Sequence, residues 1–131
     1  MKKIIILGAT GFIGRNLTEY YGNKKGYKVF AVYNRRKPWK SKKVNFIKAD
    51  LTIKENVNKV LKNKDIVIQA AATTSGSKDI VSKPYIHVTD NAVINSYALR
   101  SSYENANKFF VFLSCSVMYQ PSKKPISENS L

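Results

Sequence analysis

Seven residues near the start of the chain, Gly8-Ala9-Thr10-Gly11-Phe12-Ile13-Gly14, have the composition of a backbone cradle for phosphate. They follow an apolar run at residues 4–7 and open a segment with helical spacing, so the loop stands where a strand hands over to a helix. In that place each glycine has a physical task. Gly8 permits a tight turn, Gly11 lets backbone approach a pyrophosphate with no side chain between, and Gly14 lets helix and strand pack closely. The free amides at the helix N-terminus then face the anion. The spacing is GxxGxxG rather than GxGxxG, and three glycines alone would serve equally well as a turn plus a packing contact. Their position directly after a continuous apolar strand points to a dinucleotide.

The elements that must hold this loop are legible from hydrophobic patterning. Five apolar, β-branched runs, at residues 4–7, 28–33, 44–48, 65–69 and 109–114, read as strands. Most are continuous rather than alternating, as in strands buried on both faces of a parallel sheet. Between them, residues 12–21 place Ile13, Leu17 and Tyr20 or Tyr21 at helical spacing, with Gly22 as the stop. Residues 52–62 open on Thr52-Ile53-Lys54-Glu55, a capping-box pattern, and carry Val57, Val60 and Leu61 on one side. A longer segment at 84–106 carries Val93, Ile94, Tyr97 and Ala98. Residues 34–43 read as a basic loop or short helix, and 120–131 have no periodicity. Right-handed crossovers wind this order into a Rossmann-type α/β fold, a doubly wound parallel sheet with five strands in the order 3-2-1-4-5, in one domain over residues 1–131.

Composition narrows the partners. Lys and Arg number 23 against 8 Asp and Glu, a net charge of +15, which draws the chain toward anions such as nucleic acid or phosphorylated cofactors. The recurrence of Lys with Asn reads equally as compositional bias. Aromatic residues fall in strands and helices rather than among lysines on one platform, which argues against nucleic acid. The single cysteine, Cys115, and single histidine, His87, exclude a disulfide framework and a clustered thiolate or imidazole metal site, so no metal is expected. The lone thiol fits a reducing, cytoplasmic setting. No stretch approaches the ~18 uninterrupted apolar residues of a membrane helix, and the apolar opening is too short for a signal peptide; no membrane partner is expected.

Three further stretches agree with the glycine loop: Asp50-Leu51-Thr52 after the third strand, Asp65-Ile66-Val67-Ile68-Gln69-Ala70-Ala71-Ala72, and Ser114-Cys115-Ser116-Val117-Met118-Tyr119. Together they resemble the extended short-chain dehydrogenase/reductase family of NAD(P)-dependent sugar-nucleotide epimerases, dehydratases and reductases, across essentially the whole chain. The Ser-rich strand end, Tyr119 and the later Pro125-x-x-Glu128 look most like the GDP-fucose synthase branch.

The resemblance implies roles. Gly8, Thr10, Gly11, Phe12, Ile13 and Gly14 would hold the pyrophosphate, and Asp50 would accept from the adenine amino group beside Leu51. Ala70, Ala71 and Ala72 would contact the cofactor, Asn91 would lie near the cofactor and the fifth strand, and Gln69 stands where the family usually has His. Family chemistry moves a hydride between a sugar carbon and nicotinamide, with a Tyr base, a Lys that lowers its pKa, and a Ser or Thr on the sugar hydroxyl. Cys115 occupies the Ser/Thr position, counted from Tyr119; Ser116 or Ser114 could serve instead.

The Tyr-x-x-x-Lys pair is expected beyond Leu131. Its three internal matches, Tyr20 with Lys24, Tyr21 with Lys25 and Tyr119 with Lys123, read as chance. The chain is thus expected to be a truncated N-terminal part, lacking the C-terminal substrate domain and inactive alone, with nucleotide-sugar bound only when that part is supplied. A non-catalytic NADP-binding module or redox sensor is the alternative. Family members often dimerise through the helix at 84–106.

NAD-binding members usually end the second strand with a carboxylate for the adenosine ribose. Here the place reads Asn34-Arg35-Arg36-Lys37. With no carboxylate to repel a 2′-phosphate and two guanidiniums to hold it, NADP is favoured over NAD. A solvated basic loop would look the same in a chain this rich in lysine.

Overall fold

An apolar run without polar interruption is stable as a strand only when both of its faces are covered. The computed structural model, which describes residues 1–74, 76–114 and 119–130, covers both faces of Ile4, Ile5, Ile6 and Leu7: all four are fully buried. They belong to β1 (Lys2–Leu7), the middle strand of an all-parallel sheet. Its neighbours are β2 (Tyr27–Tyr33), β3 (Val44–Lys48), β4 (Ile66–Gln69) and β5 (Phe109–Phe112), in the order β3-β2-β1-β4-β5. This is the expected Rossmann-type arrangement. The register sets Leu7 beside Val32 on one side and Gln69 on the other, so three strands end level at their carboxyl edge.

Alternation along β1 divides the core. Ile4 and Ile6 face α1 (Phe12–Asn23), packing with Val29, Ile68, Leu17 and Tyr21. Ile5 and Leu7 face the opposite layer, where α2 (Lys54–Leu61) contributes Val57, Val60 and Leu61, and a long helix at Tyr85–Glu104 contributes Ile94 and Ala98. Before that long helix, called α4, runs α3 (Ser77–Ser82), six residues and too short to leave a periodic signal. The outer side of α4 also carries apolar residues, with Tyr85, Val88, Leu99 and Tyr103 all exposed. Among the described residues no helix is long and apolar enough to cross a membrane.

Several element ends differ from the sequence expectation, three of them for a tertiary reason. Gly22 does not stop α1, which continues to Asn23; a Cβ at Gly22 would lie 3.1 Å from Val44 Cγ2, so the glycine serves packing against β3. The capping box at Thr52 does not form. Thr52 donates from both its amide (2.9 Å) and its hydroxyl (2.7 Å) to Asp50 Oδ1, and α2 starts after Ile53 with no side-chain cap. β4 begins at Ile66, because the carboxylate of Asp65 takes the Lys3 amide (2.7 Å) and the Lys108 ammonium (3.2 Å) at the sheet entry. β5 closes at Phe112, two residues early.

Candidate functional site

The carboxyl edge of the sheet is where the glycine loop turns. Gly8 has φ +77°, and a Cβ there would come within 2.5 Å of Ala71 Cα and 2.7 Å of the Ala70 carbonyl oxygen. Two constraints therefore select glycine: the left-handed backbone and the adjacent chain leaving β4. The turn is closed by Gly11 N–H donating to the Gly8 carbonyl at 3.0 Å and Ala9 N–H to the Val32 carbonyl at 2.8 Å. A Cβ at Gly14 would overlap the Gly8 carbonyl, so Gly14 is what lets α1 sit directly under the loop. Gly11 differs, meeting only the Gly8 carbonyl oxygen at 3.4 Å. It caps α1 without a side-chain acceptor, and the first turn carries no acidic residue, which leaves the helix N-terminus suited to an external anion.

A cleft of about 410 Å³ runs along this edge, a volume suited to a small-molecule ligand. It lies where the strand order reverses about β1, the usual place for ligands in such sheets. Gly8, Thr10 and Gly11 form its middle. One end is built from Tyr33 at the end of β2 and Asn34 and Arg35 just after it, with Asp50, Leu51 and Thr52 after β3; the other from Ala70 to Thr74 after β4, with Asp90 and Ile94 of α4.

At the first end, Asp50 is held ionised. The Thr52 hydroxyl and then its amide push the carboxyl pKa below the ordinary aspartate value, with smaller help from the Asn34 side chain and the charge of Arg35. A depressed folded-state pKa contributes stability that is present above the unfolded value and is lost as pH falls through the folded one, so the window lies below about pH 4. Thr52→Ala is expected to raise the Asp50 pKa toward the ordinary value and flatten the loss of stability in acid. Carboxyl NMR titration of the two proteins checks this, and identical Asp50 titrations would refute it.

At the second end, α4 clamps the chain that leaves β4. Buried Gln69 donates to the Ala71 carbonyl (3.0 Å) and to Asn95 Oδ1 (2.8 Å) and accepts from the Ala71 amide (3.2 Å). Asn91 accepts from the Thr73 amide (2.7 Å) and donates to its carbonyl (3.1 Å). Three alanines at 70–72 thereby form a floor whose backbone is fixed and whose side chains take little room.

A smaller cavity, about 280 Å³, adjoins the cleft across Thr10 and Gly11; Phe12, Arg15, Arg36, Lys37 and Trp39 complete it. The adjacent arginines thus part ways, Arg35 lining the cleft and Arg36 the smaller cavity, where its Nη1 points at the Thr10 carbonyl at 3.4 Å.

Most residues singled out in the sequence meet here: Gly8, Thr10, Gly11, Asn34, Arg35, Asp50, Leu51 and Ala70 to Ala72 line the cleft. Gly14 lies beneath the loop, Phe12 and Arg36 border the smaller cavity, and half-exposed Ile13 lines neither. Asn91 serves the clamp, while Asp90 and Ile94 from the same helix reach the cleft. Cys115 and Ser116 lie outside the described residues. The sequence reading missed Tyr33, Asp90, Ile94 and Arg15; of these only Asp90, a second polar residue beside Asn91, left a local signal. Lys24 does donate to Tyr20 Oη at 3.1 Å, a bond that raises the lysine pKa, but at the far end of α1, about 18 Å along the helix from the loop.

Residues 4–131 match the family model described as NAD dependent epimerase/dehydratase. No curated protein matches. Among solved structures, the NAD+ complex of the Bordetella bronchiseptica enzyme WbmH is 24% identical, with a TM-score of 0.84 over 100% of this chain and 45% of that one. A mutant UDP-glucuronic acid 4-epimerase from Bacillus cereus, in complex with NAD and UDP-4-deoxy-4-fluoro-glucuronic acid, is 23% identical with a TM-score of 0.81, over 98% of this chain and 45% of that one. A UDP-glucose 4-epimerase is 21% identical with a TM-score of 0.80, over 99% and 41%. The chain spans less than half the length of each.

Proposed function

Because the chain belongs to the NAD dependent epimerase/dehydratase family, we propose that residues 1–131 form the dinucleotide-binding part of a nucleotide-sugar epimerase, dehydratase or reductase. The observation that carries this is the side-chain-free cradle: Gly8 and Gly14 admit no Cβ, Gly11 leaves its outward side open, and the uncapped start of α1 faces the cleft. Thr10 and Gly11, with Phe12 and Ile13, would hold the pyrophosphate; Leu51 and Asp50 would receive the adenine and its amino group; and Ala70, Ala71 and Ala72 would receive the nicotinamide end, with Gln69 holding the backbone of Ala71 and Asn91 that of Thr73. When bound, the cofactor supplies hydride acceptance and donation at a sugar carbon.

NADP is the preferred dinucleotide, since Arg35 and Arg36 follow Asn34 where a carboxylate would select NAD. Cys115 or Ser116 holds the sugar hydroxyl, and turnover needs the C-terminal substrate domain. The exposed residues of α4, Tyr85, Val88, Leu99 and Tyr103, support a homodimer through residues 84–106. The single thiol supports a cytoplasmic location.

Titrating the chain with NADP and NAD while following Trp39 fluorescence tests this reading. Trp39 borders the cavity beside Arg36, so a saturable change is expected, with NADP acting at lower concentration than NAD. No response to either dinucleotide from a chain that melts cooperatively would sink it. Velocity sedimentation of the same sample is expected to give a dimer, and a monomer at all concentrations would remove the α4 interface.

A further inference from the structure

The two ends of the cleft differ in charge. Among the described residues that line it, Arg35, Asp50 and Asp90 alone are charged; the first two share one end, and Asp90 stands by itself at the other, among Ala70 to Thr74 and Ile94. The position of Asp90 is supported on two sides. It is carried on α4 next to Asn91, which accepts from the Thr73 amide at 2.7 Å and donates to the Thr73 carbonyl at 3.1 Å. The Thr73 hydroxyl in turn is directed at Asp90 Oδ2, 3.4 Å away. A carboxylate repels the phosphates that the glycine loop is shaped to receive, so a negative charge at this end suits a different part of a ligand. A nicotinamide dinucleotide has one such part: its oxidised ring is a pyridinium cation, and accepting a hydride makes the ring neutral.

We propose that Asp90 is a specificity-determining residue that biases the site toward the oxidised form of the dinucleotide. Its carboxylate attracts the pyridinium cation and has no matching attraction for the neutral reduced ring, so it stabilises one redox form alone. By linkage, the same bias makes the bound dinucleotide harder to reduce. The inference rests on the dinucleotide reading above and deepens it: with Ala70, Ala71 and Ala72 receiving the nicotinamide end, the ring enters the part of the cleft that Asp90 borders. Asp90 is half-buried, and water screens part of the attraction, which keeps the effect modest.

Dissociation constants of the oxidised and reduced forms, measured by calorimetry on the 131-residue chain with both NAD and NADP, give the bias directly. ADP-ribose, which keeps the pyrophosphate and both riboses but has no ring, is the control. Asp90→Asn is nearly isosteric and can still accept from Thr73. It is expected to weaken the oxidised forms about fivefold and to leave the reduced forms and ADP-ribose within about twofold. Asp90→Glu retains the charge and is expected to restore most of the bias. Partial misfolding lowers the affinities of both redox forms alike, so it cannot imitate a change in their ratio. An unchanged ratio in Asp90→Asn, whether both forms weaken together or neither does, would overturn the assignment and leave the dinucleotide reading standing. Failure of the unmodified chain to bind any of these nucleotides would remove that reading and the assignment with it.

Discussion

Gly8→Ala is expected to lower stability by about 2–4 kcal/mol and to abolish dinucleotide binding. Two costs coincide at this position. Alanine at φ +77° is strained by about 1–2 kcal/mol, and its methyl group would stand 2.5 Å from Ala71 Cα, so the chain leaving β4 must move. That movement displaces the floor of the cleft from the loop that faces it. Gly26 is the natural control, with φ +91° but nothing within 4 Å of its Cβ position. Gly26→Ala should cost only the backbone strain, about 1 kcal/mol, and leave binding intact. Urea denaturation of both variants measures the difference, and equal losses would mean that crowding against Ala71 contributes nothing.

The second large effect concerns the choice of cofactor. The double variant Arg35→Ala with Arg36→Ala is expected to weaken NADP about 100-fold while changing NAD by less than about threefold, taking each guanidinium as one charge-assisted contact near 1.5 kcal/mol. The geometry makes the pair non-redundant, because Arg35 lines the cleft and Arg36 the cavity behind Thr10. Competition titrations on the Trp39 signal give both constants. If the NADP-to-NAD ratio is unaltered, the residues 34–37 are a solvated basic loop and the preference must be sought elsewhere.

The sheet was readable in the sequence because burial on both faces forces an uninterrupted apolar run, and that property belongs to neighbours in the chain. The central strand shows this most fully, with Ile4 to Leu7 all buried, whereas the edge strand β3 is interrupted by Asn45 and is at most half-buried. Element ends were less legible because distant partners decide them. Thr52 has the pattern of a helix cap, yet Asp50 claims its hydroxyl; Gly22 has the pattern of a helix stop, yet Val44 needs its lack of a side chain.

The candidate site divides along the same line. The glycine loop, the basic run after β2 and Asp50 were visible because each lies immediately after a strand, and parallel topology brings strand ends together at one edge. The clamp was not, because Gln69 meets Asn95 across 26 residues and Thr73 meets Asn91 across 18. Nor could spacing show that Asp90 and Ile94, rather than Asn91, would reach the cleft.

By itself the sequence determined the order of the strands and of the three longer helices, the parallel sheet and the place of the glycine loop, since these rest on periodicity and on residues adjacent in the chain. Only the tertiary structure decided the division of Arg35 and Arg36 between two cavities and the meeting of Arg15 with Trp39. Consecutive side chains leaving a strand point apart, and α1 and the loop at 34–43 meet only after the right-handed crossover has folded one beside the other.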